Sequence, residues 1–393
     1  MRISGVRVFP VETPFPHRGG RWWMFVRLDT REGVSGYGEF YTNAIPFSWR
    51  VTASMVEDLV QRLLLEHDPY DVEALFQRLY DLEYSHHPDL TKLALISGLE
   101  MACWDIVGKD LGRPVHRLLG GAIRDRVRTY TYLYPEPESR MTHRQLWLRP
   151  GEAAERAVHY AELGFTGVKL DPFGTVPTPD QARGQLVPIQ YSLEALDRAE
   201  ETIRRIREAV GSRCDILVGT HGQMTPAGAI RVARRLEPYD PLWLEEPVPP
   251  EDPAAMALVA RATTIPVTTG ERLATKYEFA ELLRHRAAAI FNLDVGQVGG
   301  ILEARKIAGM AEAYHVQVSP HVWGGPLIAA ASIQLALTCP NFLIMESVER
   351  FEGLHAELVR PPIEWREGDV IPSDRPGLGH DLDERVAARY APG

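Results

Sequence analysis

The chain has 393 residues, 45% hydrophobic and 24% charged, the make-up of a globular protein large enough for two cores. A formal net charge of -10 excludes a broad nucleic-acid face, because phosphate binding needs concentrated cations, and no apolar run is long enough to span a bilayer. Three cysteines without CxxC spacing, and an N-terminus without a signal peptide's apolar core, predict a reducing, cytoplasmic setting without disulfides.

In chain order, strand-like MRISGVRVFPVET, WMFVRLDT and GVSGYGEFYT come first, followed by helical patterns at Met55–Leu65, Val72–Leu82 and Leu93–Leu111. Residues 1–125 therefore read as an α+β domain. From Val127 a rhythm sets in: VRTYTYL, TGVKL, DILVG, LWLE, IPVTT, AAIFNL, VQVS and FLIME, with Ala/Leu/Glu/Arg-rich helical stretches between them. Strands alternating with helices imply parallel strands joined by right-handed crossovers, and eight such units over 126–355 fit a closed TIM-type (β/α) barrel. A doubly wound open sheet would want a GxGxxG turn after an early strand, and none is present. Residues 356–393 hold turns and short strands and are expected to pack back on the first domain. The Pro/Gly-rich stretch from Asp171 to Gln190 interrupts the second unit, and so long a loop is usually functional.

The active face of such a barrel lies at the strand C-termini. Polar residues end the strands there: Lys169 and Asp171, then His221 beyond Gly219, then Glu245, Glu271, Asp294, His321 and Glu346. The steps from Gly219 to Glu245 to Glu271 are 26 residues each, and those from Asp294 to His321 to Glu346 are 27 and 25. Glu245 and Glu271 suit a hard divalent cation, Mg²⁺ above all. Such an ion could neutralise charge building on a substrate carboxylate as its α-proton leaves. His321 is the best base, with Asp294 one strand earlier placed to orient it. The expected partner is a small anionic hydroxy acid.

The ordered set ISGLEMACWDIVGKDLGRPVHRLLGG (Ile96–Gly121), VKLD, LWLEEP, TTGERL, NLDVGQVGGI and SPHVWGGP resembles the enolase superfamily, in its mandelate racemase/muconate lactonising group. The resemblance implies a capping domain on a modified barrel, Glu245 and Glu271 as ligands of one Mg²⁺, and a His321–Asp294 base dyad. It also implies Lys169 and Glu346 at the substrate carboxylate, and a homo-oligomer. Capping loops would close over the barrel mouth, making Trp22, Tyr41 and Asn43 specificity candidates, together with Trp323 of SPHVWGGP. VGTHGQ around His221 is similar to the third-strand motif of galactonate-type sugar-acid dehydratases, where that histidine is the general acid. The implied product is a 2-keto-3-deoxy acid.

Two departures stand out. Gly219 occupies the place of the group's third metal-binding carboxylate, and Lys169-Leu170-Asp171 replaces its Lys-x-Lys pair. Asp171 is accordingly the expected third ligand, with His221 the second candidate. Loss of the second lysine disfavours a two-base racemase. Racemase, epimerase or cycloisomerase chemistry remains the alternative enzyme reading, and a non-catalytic homologue with a decayed metal site the alternative outside catalysis.

Overall fold

The computed structural model describes residues 1–82, 84, 86–137, 139, 141–173 and 188–393, so most of the loop expected to be functional lies outside the described residues. The chain opens with an antiparallel sheet of β1 (Ile3–Glu12), β2 (Trp22–Thr30) and β3 (Ser35–Phe40). Against it lies helix Leu90–Asp110, started by the Asp89 carboxylate, which accepts the Lys92 backbone N–H at 2.7 Å. This helix is apolar on nearly every side because the sheet covers one flank and the barrel another.

The barrel strands are β4 (Val127–Tyr132), β5 (Gly167–Leu170), β6 (Asp215–Gly219), β7 (Trp243–Glu245), β8 (Val267–Thr269), β9 (Ile290–Phe291), β10 (Gln317–Val318) and β11 (Met345–Ser347). Each from β4 to β10 pairs in parallel with the next, and β11 returns to β4 with Glu346 opposite Tyr130. Between β10 and β11 the ladder reduces to one parallel bridge, Val318 to Phe342. Among the described residues seven long helices make the crossovers, from Pro150–Glu162 round to Pro326–Thr338. The expected eighth helix is a single turn, Leu354–Glu357. Glu349, Phe351 and Gly353 all take left-handed backbone just after β11, which breaks the path of a longer helix.

The chain's end divides between the two bodies. The hairpin Glu364–Arg366 to Asp369–Ile371 joins the barrel sheet, with Val370 opposite Val127 of β4. Helix Glu384–Arg389 lies on β1, where Glu384 receives Arg7, Arg27 and Tyr37.

Strand alternation sorts the barrel interior. Tyr130, Leu217, Trp243, Ile290 and Ile344 form one buried apolar cluster. Two residues further along the same strands come Tyr132, Gly219, Glu245, Asn292 and Glu346, which share its facing and ring the mouth.

Two carboxylates from the first domain lock onto this barrel. Glu39 of β3, fully buried, accepts the backbone N–H groups of Gly325, Leu327 and Ile328 at 2.6, 3.0 and 3.0 Å. Glu100 of the long helix accepts those of Ile301 and Leu302, both at 2.8 Å. Each carboxylate thus satisfies the otherwise unpaired N–H groups at the start of a barrel helix and meets the positive end of its dipole. The glycine pairs make room. A Cβ on Gly300 would stand 2.3 Å from Glu100 Oε2, and one on Gly325 would stand 2.6 Å from Glu39 Oε1.

Candidate active site

The mouth opens into a cavity of about 320 Å³ between the barrel and the first domain. His321, which follows β10, is held by Asp294, which follows β9: Nδ1 lies 2.6 Å from Asp294 Oδ2, and the other Asp294 oxygen accepts the Gly296 N–H at 2.7 Å. That contact fixes the ring with Nε2 toward the cavity side, 3.6 Å from Glu271 Oε2 and 3.5 Å from Glu346 Oε2. Lys169 is fully buried and donates to Glu245 Oε1 at 2.6 Å, with Glu346 Oε1 at 3.8 Å. Asn292 and Trp243 also donate to Glu245, at 2.8 and 3.0 Å. The Val322 N–H donates to Glu346 Oε2 at 3.1 Å.

Charge in this crowded space is unevenly shared. Burial raises the Glu245 carboxyl to about 8, with the Lys169 ammonium opposing and Glu271 adding to the rise. Glu271 moves the other way: burial would raise it, but the positive charges of His321 and Lys169 hold it far below the usual range. Burial would lower His321, yet Glu346, Glu271 and Asp294 together lift it to about 10.

The structure brings Lys169, Glu245, Glu271, Asp294, His321 and Glu346 together as the sequence predicts. Tyr41 and Asn43 line the cavity, Tyr41 edge-on to the His321 ring at 5.6 Å, and Trp323 and His221 line it too. Trp22 does not, and that expectation is corrected: Arg21 stacks on its ring at 4.8 Å, and its carbonyl accepts the Thr42 hydroxyl. Its neighbour Trp23 is buried with its indole N–H on the Gly19 carbonyl. Sequence reasoning missed Tyr132, His143, Arg144 and Trp147, which line the cavity from the end of β4 and the short helix His143–Trp147. The capping box of Thr142 and Gln145 that starts this helix was the available signal. Also missed was the pair of buried Glu246 and half-buried Arg272, 2.6 Å apart, each next in the chain to Glu245 and Glu271 respectively.

Asp171 is fully buried: Oδ1 accepts the Phe173 N–H at 2.9 Å and Oδ2 the Gln223 amide at 2.9 Å. A Cβ on Gly219 would stand 2.9 Å from Lys169 Cε, so the lysine stem occupies the room a strand-end side chain would need there. Among the described residues no group of three His, Cys, Asp or Glu side chains forms a ready metal site. Two carboxylates nevertheless fit Mg²⁺, which commonly takes one or two from the protein and the rest from water and substrate oxygens. Among the described residues Glu271 Oε2 and Glu346 Oε1 are buried and accept no hydrogen bond, a deficit that a cation or a substrate would relieve.

Residues 152–386 match the enolase C-terminal domain-like family, and residues 2–120 match the mandelate racemase/muconate lactonizing enzyme N-terminal domain. The chain belongs to the mandelate racemase/muconate lactonizing enzyme family. Within it, the chain is 33% identical to a D-galactonate dehydratase from Ralstonia nicotianae, over 94% of this chain and 92% of that protein. It is 32% identical to a D-xylonate dehydratase from Haloferax volcanii, over 97% of this chain and 87% of that one. The solved structure of a Burkholderia SAR-1 protein, 49% identical, superposes over 100% of this chain and 94% of the other with a TM-score of 0.94. Enolase-superfamily dehydratases are generally Mg²⁺-dependent, and no described helix here is long and apolar enough to cross a membrane.

The charge balance makes a testable statement about this family member. Glu245 and His321 both bind protons more tightly folded than unfolded. The stability they contribute is complete below their unfolded pKa values and is lost as pH rises through the folded ones. In EDTA the melting temperature should therefore fall between about pH 7 and about pH 9, and Mg²⁺ should raise it and flatten the slope. Thermal unfolding across that range checks this, and a rise with pH in EDTA would contradict it.

Proposed function

We propose that the protein is a Mg²⁺-dependent sugar-acid dehydratase that converts an aldonate or aldarate to a 2-keto-3-deoxy acid. The observation that carries this reading is a His321–Asp294 pair beside buried carboxylates on one side of the cavity, with a second histidine, His221, lining the same cavity. The relatives named dehydratases support the reaction class.

His321 Nε2 takes the α-proton, and the C–H bonding pair becomes the enediolate. As the C=C bond forms, the β-carbon releases its hydroxyl with the C–O pair, and His221 supplies the proton that makes it water. The enol then tautomerises to the 2-keto acid. Asp294 keeps the His321 ring in register and stabilises the imidazolium it becomes. Lys169 and Glu346 orient the substrate carboxylate. Tyr41, Asn43 and Trp323, joined by Tyr132, Trp147 and Arg144, shape the remaining space and select the sugar. A divalent ion held by Glu245 and Glu271 would supply positive charge where the enediolate oxygens build negative charge, and would bring His321 back toward the neutral range a base requires. Three buried, unpaired cysteines, Cys103, Cys214 and Cys339, fit a reducing cytoplasm.

The test is a panel of aldonates and aldarates incubated with protein in Mg²⁺ or EDTA, with detection of 2-keto acids. A Mg²⁺-dependent product from a small stereochemical set is expected. No product from any acid, where the Ralstonia nicotianae relative turns over galactonate, would overturn the assignment.

A further inference from the structure

Two aspartates of the barrel are built alike. Asp294 is fully buried, one oxygen pinned by the N–H two residues on (Gly296, 2.7 Å) and the other 2.6 Å from His321 Nδ1. Asp171 is fully buried, one oxygen pinned by the N–H two residues on (Phe173, 2.9 Å) and the other 3.8 Å from His221 Nδ1. Both histidines line the one cavity. From behind, Asp171 is braced by the Gln223 amide at 2.9 Å, and Gln223 accepts the Tyr191 hydroxyl at 2.6 Å. Tyr191 itself lies flat on Phe173, ring centres 4.1 Å apart and 7° from parallel. Among the described residues His221 Nδ1 is buried without a hydrogen-bond partner, while its backbone is in the left-handed region. A buried ring nitrogen left unpaired beside a braced carboxylate is poised to bond with it, and contacts of this kind in ligand-free sites are long and tighten when substrate fills the cavity.

We propose that Asp171 is a positioning residue, the carboxylate of a second aspartate–histidine pair. It accepts the His221 Nδ1–H and so presents Nε2 to the leaving hydroxyl. Asp171, which the sequence offers as a third metal ligand, then serves the proton donor instead. One pair handles the α-proton, the other the departing oxygen. In the step itself the β-carbon–oxygen bond breaks, the electron pair leaves with oxygen, and the Nε2 proton joins it as water. The role in that step rests on the dehydratase reading; the contact between Asp171 and His221 does not.

The experiment compares wild type with Asp171→Asn and Asp171→Glu in the Mg²⁺-loaded full-length protein. Three reactions are followed: α-proton exchange in D₂O, 2-keto acid formation, and elimination from an analogue with fluoride in place of the β-hydroxyl. Fluoride leaves without a proton donor. Asp171→Asn should lower dehydration by about 100-fold, the scale of one general acid, while exchange and fluoride loss persist, and Asp171→Glu should recover part of the loss. Equal loss of all three reactions would overturn the proposal. So would a fall in Mg²⁺ affinity, measured by calorimetry with the metal alone, since Asp171 would then be a metal ligand. If wild type eliminates neither water nor fluoride, the dehydratase reading has failed, and ¹⁵N-histidine spectra still decide the pair. A hydrogen-bonded His221 Nδ1–H signal present in wild type and absent in Asp171→Asn supports it, and a His221 signal unchanged by the substitution overturns it.

Discussion

His321→Asn should abolish both α-proton exchange and 2-keto acid formation, with a loss on the order of 10³- to 10⁴-fold in kcat. Asparagine keeps a polar group near Asp294 but has no nitrogen that can take a proton from carbon. The fold should survive, because the His321 ring is one wall of a cavity and not part of the packed core. Asp294→Asn should fall between this variant and wild type, since the imidazole remains while losing the carboxylate 2.6 Å from Nδ1 that sets its tautomer. Exchange is read by proton NMR in D₂O at saturating substrate. An His321→Asn protein that still exchanges at a tenth of the wild-type rate would mean that another group is the base.

Glu39→Ala should be the most destabilising single change outside the barrel, at about 3 kcal/mol or more. Its carboxylate is the acceptor for three buried N–H groups at the start of helix Pro326–Thr338, and alanine would leave them without it. That helix begins five residues after His321, so turnover should fall along with stability. Denaturant unfolding measures the first effect and the exchange assay the second. Glu39→Gln keeps one acceptor oxygen and should lose less. An unchanged unfolding midpoint for Glu39→Ala would show that the helix start finds other acceptors.

The parts of the site that can be read from the chain are those carried by periodicity. Glu245, Glu271, Asp294, His321 and Glu346 each sit at or just past a strand end, and near-constant βα length brings those ends to one mouth. Trp22 shows where that logic stops. A loop from another domain has no repeat to fix its direction: both faces of β2 are buried, Trp23 packs in the core with Phe25, and Trp22, the strand's first residue, lies beside Arg21. Tyr132, His143, Arg144 and Trp147 belong to the first strand end, where no charged residue drew attention. The shortened eighth unit was hidden because FLIME reads as a strand like the others, and only the left-handed run at Glu349, Phe351 and Gly353 turns the chain away. Glu39 and Glu100 were hidden for a different reason. Their partners are backbone N–H groups some 200 to 290 positions later, and side-chain patterns do not record backbone donors. The doubled glycines at 299–300 and 324–325 are the trace they leave, since a Cβ on the second of each pair would collide with the incoming carboxylate.

That interlock bears on how such a molecule could be re-engineered or could diverge. A barrel expressed alone would expose two helix starts stripped of their acceptors, next to the segments that carry Asp294 and His321. A foreign first domain could replace the native one only if it delivered a carboxylate to both glycine doublets. Selectivity borne by Tyr41 and Asn43 can therefore drift residue by residue, while the seam that holds these loops over the base is inherited as a unit.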